Sequence, residues 1–339
     1  MLPLALAVLV VSCDTASGCY NRGVEKAQKG DWKGAIVDFD KAIKLRPNFP
    51  AAYRNRGLAK KTLGDLDGAI ADYDKAIELK PDYVAAYVGR GLAKRAKGNP
   101  EGALTDYTRA IEIDPSYWLA YVDRGFIKYT KSKFDEAIKD YDLAISLKPE
   151  EGQSYYNRGI AHEAKGERDA AIADFTQDLR FRPTHTNSYI SRGTARQKKG
   201  DWNGAISDFD AAIKLSPDNF HAFNGRAWVK FLMGDFEKAV ADASRAIQLE
   251  PKYANSYGTR GWARCANGDI AGGREDCQKA IELAPLNSSE SIVDQGMIDF
   301  IDGNYTQAVE LWQKAIAKDE SESLALRPWI EKAQARLNR

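Results

Sequence analysis

Eight prolines at equal spacing divide most of this 339-residue chain into repeats of one length. Successive members of the set lie 34 residues apart: Pro47, Pro81, Pro115, Pro149, Pro183, Pro217, Pro251 and Pro285. A constant period of about 20 to 50 residues is typical of arrays in which each unit buries its apolar face against its neighbours. We number the 34 positions of a repeat so that this proline is position 32. The repeats then begin at residues 16, 50, 84, 118, 152, 186, 220 and 254, and a ninth begins near residue 289 after one inserted residue.

Two helices are predicted in each repeat, because apolar residues recur at spacings of three and four on both sides of a turn signal. Residues 52–63 and 67–79 are one such pair, with Gly64 and Asp65 between them. Glycine can end the first helix in a left-handed conformation, and the following aspartate can cap the second helix. The proline at position 32 has no amide hydrogen and ends the second helix. Each repeat is therefore predicted to be a helical hairpin.

The residues at fixed positions of this hairpin resemble the tetratricopeptide repeat (TPR) family over residues 16–322. The family has aromatic residues at positions 4 and 24, small residues at 8, 20 and 27, and proline at 32. Position 4 is aromatic in seven repeats: Tyr53, Tyr87, Tyr121, Tyr155, Tyr189, Phe223 and Tyr257. Position 20 is alanine in seven: Ala35, Ala69, Ala103, Ala137, Ala171, Ala205 and Ala239. The resemblance implies an all-α fold, a right-handed superhelical solenoid of about nine hairpins, with residues 323–339 as a capping helix.

Some repeats depart from this pattern, mostly toward the end of the array. Asp178 replaces the small residue at position 27 of the fifth repeat. The aromatic residue at position 24 is lost in the seventh and eighth repeats, which have Ala243 and Cys277 there, and Gly273 stands at position 20 of the eighth. We therefore expect the seventh and eighth hairpins to pack differently from the others.

Position 7 is arginine and position 23 is aspartate in the first eight repeats. In an antiparallel hairpin these two positions lie level beside the seam between the helices. A guanidinium at a partly dry seam needs a carboxylate, which can accept two of its hydrogen bonds. An arginine–aspartate pair is therefore predicted in each hairpin, within the repeat or with its neighbour. The basic residues at position 11 are interpreted as a solvated or snorkelling ridge.

The composition and motifs argue against nucleic acid, metal, cofactor and catalytic sites. Lys and Arg number 49 against 48 Asp and Glu, so the whole chain has no field that would attract nucleic acid. The three histidines fall at unrelated positions, which gives no metal-binding pair on one helix face. Cys265 and Cys277, at positions 12 and 24, are not level across the hairpin. We therefore expect no enzyme activity, no metal and no cofactor.

Residues 1–15 form a separate, signal-like segment. The first twelve are apolar and uncharged, and with Pro3 among them they are too short to span a bilayer as a helix. The sequence before Cys13 resembles a bacterial lipobox, which implies lipidation of that cysteine. No basic region precedes the apolar run, and a plain cleaved signal or an uncleaved N-terminus are the alternatives. The expected location is the bacterial cell envelope, in the periplasm and anchored through Cys13, or the cytoplasm if the segment is not a signal.

A groove along the first helices is the predicted binding site. Positions 2, 5, 6, 9, 12 and 13 point away from the seam, and aromatic anchors beside amides suit a peptide. The predicted groove residues are Phe126, Tyr129, Tyr156, Asn187, His221, Asn224, Trp228, Phe231, Asn255 and Trp262. Trp228 and Trp262 have an alternative role, since they could fill the volume lost at Ala243 and Cys277.

These features predict a non-enzymatic, monomeric scaffold that binds a protein or peptide partner along its concave face. Two alternatives remain: a targeting or accessory subunit of an envelope enzyme complex, and a self-associating structural module. The lysine and asparagine clamp of chaperone-binding TPR domains is missing, because positions 5 and 9 do not pair those residues. Chaperone tails are therefore not the expected partner.

Overall fold

The structure is a computed structural model that describes residues 14–285 and 288–338. The apolar segment that ends at Cys13 lies outside these ranges. The described residues contain nineteen α-helices, one 3₁₀ turn at Glu320–Glu322, and no strand. The helices are α1 (Ala16–Gln28), α2 (Trp32–Leu45), α3 (Pro50–Thr62), α4 (Leu66–Leu79), α5 (Val84–Ala96), α6 (Pro100–Ile113), α7 (Trp118–Thr130), α8 (Phe134–Leu147), α9 (Gly152–Ala164), α10 (Arg168–Phe181), α11 (Thr186–Lys199), α12 (Trp202–Leu215), α13 (Phe220–Leu232), α14 (Phe236–Leu249), α15 (Ala254–Ala266), α16 (Ile270–Leu283), α17 (Ser289–Ile301), α18 (Tyr305–Lys318) and α19 (Ser323–Leu337).

The first eighteen helices pack as nine consecutive hairpins, from α1 with α2 to α17 with α18. The prediction of an all-α fold built from helical hairpins is confirmed. The helices belong to two compact units: the first ends at Glu150 and contains α1–α8, and the second begins at Glu151 and contains α9–α19. In the second unit α19 packs against α18.

The turn inside the second hairpin shows the predicted chemistry. Gly64 has a φ of +87°, a left-handed conformation that glycine adopts at little cost. Asp65 then caps α4, because its Oδ1 accepts a hydrogen bond from the Gly68 amide at 2.9 Å. In the fourth hairpin Ser132 takes the left-handed position instead, with a φ of +58°.

Small residues and rings alternate in the interior of the first six hairpins. The alanines at positions 20 and 27 are fully buried, and the ring at position 24 fills the space between the helices. In the third hairpin the Tyr107 ring lies so close to Gly91 that a Cβ at that glycine would be 2.6 Å from the ring. Glycine at position 8 therefore makes room for the aromatic residue at position 24.

The arginine–aspartate pairs form within the repeat, as predicted for the seam. Arg56 Nε donates to Asp72 Oδ2 at 2.9 Å and Arg56 Nη2 to Asp72 Oδ1 at 2.5 Å. The same two-point pairing recurs in every repeat with the motif: Arg22 with Asp38, Arg90 with Asp106, Arg124 with Asp140, Arg158 with Asp174, Arg192 with Asp208, Arg226 with Asp242 and Arg260 with Asp276. All eight aspartates are buried.

The interpretation of position 11 as a solvated or snorkelling ridge is wrong, because these cations pair with a buried carboxylate. Lys60 Nζ lies 2.8 Å from Asp72 Oδ2, so that one buried carboxylate holds two cations. Lys26, Lys94, Lys128, Arg196, Lys230 and Arg264 do the same in their repeats. The reason is geometric: position 11 is one helical turn after position 7, on the same side of the helix.

In some repeats, the second and third among them, the arginine at position 7 also links neighbouring hairpins. Arg56 Nη1 lies 2.6 Å from Asp40 of the preceding repeat, and Arg90 Nη1 lies 2.6 Å from Asp74. Both of these second carboxylates are about half exposed. One guanidinium therefore joins a buried carboxylate in its own repeat to an exposed carboxylate in the repeat before it.

The eighth hairpin packs differently, as expected. A Cβ at Gly273 would be 2.8 Å from the Gly261 carbonyl oxygen, so α15 and α16 approach with their backbones almost in contact. The missing ring at Cys277 is replaced by Trp262, which is 1% exposed and packs in one cluster with Trp312 and Trp329. The core of the C-terminal hairpins is thus built around tryptophans from three helices.

Candidate ligand pocket of the second unit

A cavity of about 320 Å³ opens between the first helices of the last four repeats, α11, α13, α15 and α17, all in the second unit. We call it the α11–α17 pocket. Its lining residues are Ile190, Thr194, Gln197, His221, Asn224, Gly225, Trp228, Tyr253, Asn255, Gly258, Thr259, Trp262, Ser289, Glu290, Val293, Asp294 and Glu322. Most of these residues stand at positions 2, 5, 6 and 9 of their repeats.

Two tryptophans form the aromatic wall of the pocket. Trp228 is half-buried and Trp262 is almost fully buried, and both line the pocket. Their ring centres lie 6.3 Å apart with the planes at 72°, an edge-to-face arrangement. Trp262 therefore fills the core, as the alternative role proposed, and also lines the pocket, while Trp228 leaves part of its ring open to a ligand.

Asp294 is the most unusual residue of the pocket. It is 6% exposed, and its Oδ1 accepts a hydrogen bond from Trp262 Nε1 at 2.9 Å. Burial raises the pKa of its carboxyl to about 7, although the Trp262 hydrogen bond opposes this rise. The neighbouring Glu290 adds to the rise through its negative charge. A carboxyl with these properties changes its charge near neutral pH.

Gly258 makes the position of Asp294 possible. A Cβ at residue 258 would lie 2.8 Å from Asp294 Oδ2, so any larger residue at this point of α15 would displace the carboxyl. The side chain from α17 thus reaches the pocket through the gap that glycine leaves in α15.

Amide groups supply neutral acceptors and donors. Asn224 is half-buried, and its Oδ1 is buried without a hydrogen-bond partner. A buried acceptor without a partner costs free energy, which a donor from a ligand would recover. Asn255 lines the same pocket one repeat later.

The structure brings five of the ten predicted groove residues together in this pocket: His221, Asn224, Trp228, Asn255 and Trp262. The other five lie elsewhere. Phe231 is buried and packs against Trp228 and Trp262 from behind. Tyr156 packs on His185 with ring centres 4.8 Å apart, and Asn187 is exposed beyond the lining.

Phe126 and Tyr129 belong to the first unit, where Phe126 lies beside a basic residue. The Arg95 guanidinium carbon lies 4.8 Å from the centre of the Phe126 ring. Arg95 also lies 3.6 Å from Asp123, and burial raises the pKa of that carboxyl to about 6 against the attraction of Arg95 and Lys61. This surface differs in charge from the pocket of the second unit.

Sequence reasoning missed the acidic residues of the pocket, Glu290, Asp294 and Glu322. The signal was present at Asp294, which interrupts the apolar run of Ile292 and Val293 in the ninth repeat. An aspartate at position 6 of that helix has no arginine beside it at position 7, where Gln295 stands.

A serine, a histidine and an aspartate do meet outside the pocket, but they do not form a catalytic site. His185 Nδ1 lies 2.7 Å from Asp178 Oδ2 and 2.8 Å from Ser188 Oγ, so one nitrogen contacts both partners. Ser188 and Asp178 are fully buried, and Arg182 Nε donates to Asp178 Oδ1 at 2.5 Å. The aspartate that replaces alanine in the fifth repeat is therefore held by a structural polar cluster.

Among the residues that the structure describes, no group of three or more histidine, cysteine or acidic residues is arranged to hold a metal ion. No helix in the same ranges combines the length and apolar character needed to cross a membrane.

Family models of this repeat match the chain over most of the array. The model described as TPR repeat matches residues 23–64 and 61–98. Two models described as tetratricopeptide repeat match residues 84–117 and residues 123–184 and 190–253. These ranges together cover more than half of the chain. No curated protein matches the sequence.

Solved structures share the fold at low identity. The C-terminal part of a TPR repeat-containing protein from Cytophaga hutchinsonii is 20% identical, with a TM-score of 0.56 over 71% of this chain and 98% of that one. The pilF protein of Pseudomonas aeruginosa is 18% identical, with a TM-score of 0.56 over 61% of this chain and 94% of that one. The MamA protein is 29% identical, with a TM-score of 0.44 over 50% of this chain and 93% of that one. The first two comparisons support the fold and nothing beyond it.

Proposed function

Because this chain belongs to the tetratricopeptide repeat family, we propose that it is a non-enzymatic interaction protein that binds a peptide segment of a partner in the α11–α17 pocket. Repeat arrays of this kind present surfaces for protein partners, and fold analogy by itself gives this class and no partner. The matching family models describe repeats, and none of them describes a catalytic family. The partner is therefore sought from the chemistry of the pocket.

One observation carries the proposal: the half-buried ring of Trp228 stands beside the unpartnered Oδ1 of Asn224 at the mouth of a concave cavity. Aromatic anchors in pockets supply most of the binding free energy of peptide interfaces, and nearby amides orient the bound backbone. The volume of about 320 Å³ suits one or two side chains. A peptide with one anchoring residue fits these dimensions.

The proposal is tested by crosslinked capture of partners with the parent protein and Trp228→Ala. Trp262 is left unchanged, because it is 1% exposed and its removal would leave a cavity in the core. Trp202→Ala is the matched control, since Trp202 is also half-buried in the second unit but lies on α12 away from the pocket.

The captured partner is expected to be lost with Trp228→Ala and retained with Trp202→Ala, after melting curves have shown that both variants fold. Loss in both variants, or in neither, would reject the pocket as the binding site.

We also propose that the chain is held at the bacterial envelope through Cys13, on the basis of the lipobox-like sequence that ends there. In that arrangement the hairpin array begins within a few residues of the membrane surface, because α1 begins at Ala16.

A further inference from the structure

The α11–α17 pocket has an acidic lining with no basic counterpart. Glu290, Asp294 and Glu322 contribute to its wall, and neither lysine nor arginine is among the described residues that form it. Its remaining polar groups are mostly hydroxyls and amides, which can accept hydrogen bonds. The lining therefore favours a ligand group that carries positive charge and many donors.

Within the described part of the chain, Asp294 lacks the paired cation that every buried aspartate at position 23 has. Asp276, for example, is 4% exposed and holds two cations, Arg260 at 2.7 Å and Arg264 at 2.8 Å. Asp294 is as deeply buried, and within the described ranges the Trp262 indole is the group that donates to it. In seven repeats the buried carboxylate of the seam pairs with two cations, whereas Asp294 pairs with none among the described residues.

The aromatic wall adds a second preference for a cation. A guanidinium or ammonium over a tryptophan face is attracted by the ring, and tryptophan is the strongest of the three aromatic residues in this respect. A guanidinium is also planar, stacks on such rings and is weakly hydrated, so it enters a partly dry pocket at lower cost than an ammonium. It carries five donors and no acceptor, which matches the acceptor-rich lining.

We propose that the α11–α17 pocket takes an arginine side chain of the partner peptide, with the guanidinium paired to Asp294, donating to Asn224 Oδ1 and stacked on Trp228. The inference rests on the proposed function, because it names the anchor residue of the same peptide at the same site. A charged pair of this kind is stronger than a neutral hydrogen bond and more selective, since its planar fork fits a carboxylate.

The titratable groups of the pocket determine how the affinity for an arginine side chain changes with pH. Burial raises the pKa of Asp294 to about 7, and burial raises the pKa of Glu322 as well, with Asp319 adding to this rise and Lys198 opposing it. The other titratable groups that face Asp294 are Glu290 on α17 and Cys277 on α16, and burial lowers the pKa of His221 across the pocket. A bound guanidinium stabilises the ionised form of Asp294, so binding weakens as the pH falls below 7.

The test uses four capped peptides with the sequence Gly-Gly-Xaa-Gly-Gly, in which Xaa is arginine, citrulline, lysine or glutamate. Citrulline has the shape of arginine without its charge. Binding is followed in the full chain through the ¹H–¹⁵N resonance of the Trp262 indole, whose N–H donates to Asp294. The arginine peptide is expected to bind about tenfold more tightly than the citrulline peptide, the factor that corresponds to one charged contact.

Asp294→Asn keeps an acceptor for the Trp262 indole and removes the charge, so it is expected to abolish the preference for arginine. Glu310→Gln is the control, because Glu310 is an exposed carboxylate on α18 outside the pocket. Between pH 8 and pH 5.5 the affinity for the arginine peptide is expected to fall roughly tenfold or more in the parent. It is expected to fall much less in Asp294→Asn, in which Glu322 and His221 remain as titratable groups of the pocket. If Asp294→Asn does not fold, Glu290→Gln takes its place and should reduce the same preference.

Several results would overturn the inference: equal binding of arginine and citrulline, equal binding of arginine and lysine, or an unchanged preference in Asp294→Asn. The inference and the proposed function fail in different ways. If the captured partner is lost with Trp228→Ala while the peptides show no preference for arginine, the arginine anchor is wrong and the pocket stands. If Trp228→Ala retains the partner, the proposed site itself is wrong.

Discussion

The buried aspartate at position 23 is the residue on which the charge arrangement of each hairpin depends. In the third repeat Asp106 is 1% exposed and pairs with Arg90 at 2.6 Å and Lys94 at 2.9 Å. Removing this carboxylate leaves two partly buried cations without their buried partner, and Arg90 keeps only its exposed contact to Asp74. Removing a surface carboxylate such as Asp74, which is 54% exposed, breaks only a solvated contact to Arg90.

We therefore expect Asp106→Ala to lower the free energy of unfolding by about 3–5 kcal/mol and Asp74→Ala by about 0–1 kcal/mol. Urea unfolding of both variants beside the parent measures the difference. Similar small losses in the two variants would show that the seam pairs contribute nothing beyond surface contacts.

The raised pKa of Asp294 predicts how the stability of the protein changes with pH. In the unfolded chain its carboxyl ionises near pH 4, whereas in the folded protein burial holds its pKa at about 7. Between these values the folded state binds more protons, so this group lowers stability as the pH rises from about 4 to about 7. Asp294→Asn removes the effect and is expected to be more stable than the parent by up to about 4 kcal/mol at pH 8, with little difference at pH 4. Urea unfolding midpoints of the parent, Asp294→Asn and the control Glu310→Gln at the two pH values measure this effect. The same stability difference between Asp294→Asn and the parent at pH 8 and pH 4 would contradict the raised pKa of Asp294.

The close approach of α15 and α16 is a feature of two elements and not of any single residue. The backbones meet at Gly261 and Gly273, and a Cβ at residue 273 would also fall on the Cys265 sulfur. This packing lets Trp262 enter the core and reach Asp294, so the helix pair positions the pocket as well as stabilising the hairpin.

Gly273→Ala is therefore expected to lower the melting temperature, because overpacking costs about 1–3 kcal/mol and exceeds the gain of about 1 kcal/mol in helix propensity. Gln278→Ala, an exposed position on the same helix, is the control and should change the melting temperature little. A Gly273→Ala variant as stable as Gln278→Ala would show that the two helices can separate without cost.

The hairpins and their paired charges could be predicted from the sequence because both repeat. A residue pair such as Arg56 and Asp72 recurs at the same spacing in eight repeats, and one geometry explains all of them. The pocket could be predicted only in part. Asn224 and Trp228 follow from their positions in the repeat, but Asp294 depends on the inserted residue before the ninth repeat and on the gap at Gly258. Irregular features of this kind break the period on which the sequence argument rests.

The two units differ in the charge of the surfaces described above. The first unit places Arg95 and Lys61 around Asp123, whereas the pocket of the second unit is acidic. A net charge of +1 for the whole chain conceals this contrast. A basic peptide should therefore prefer the pocket of the second unit, and an acidic peptide should prefer the surface around Arg95 and Lys61 in the first.

The proposed lipid anchor at Cys13 would determine where the whole chain is located. Metabolic labelling with a fatty-acid analogue is expected to mark the parent and not Cys13→Ser, and the label should bring the chain into the membrane fraction. Cys265→Ser is the control, because Cys265 is a free, buried cysteine that no lipidation sequence precedes. Equal labelling of parent and Cys13→Ser would reject the anchor.

The arginines that bridge two hairpins should make the bending stiffness of each unit depend on salt. The contact of Arg56 to Asp72 is buried, and its contact to Asp40 in the preceding hairpin is open to water. Salt screens the open contact far more than the buried one. Raising the ionic strength should therefore weaken the joints that contain such a bridge, between the first and second, the second and third, and the sixth and seventh hairpins, while each hairpin stays intact. Each unit should then bend more easily under load in concentrated salt than in dilute buffer.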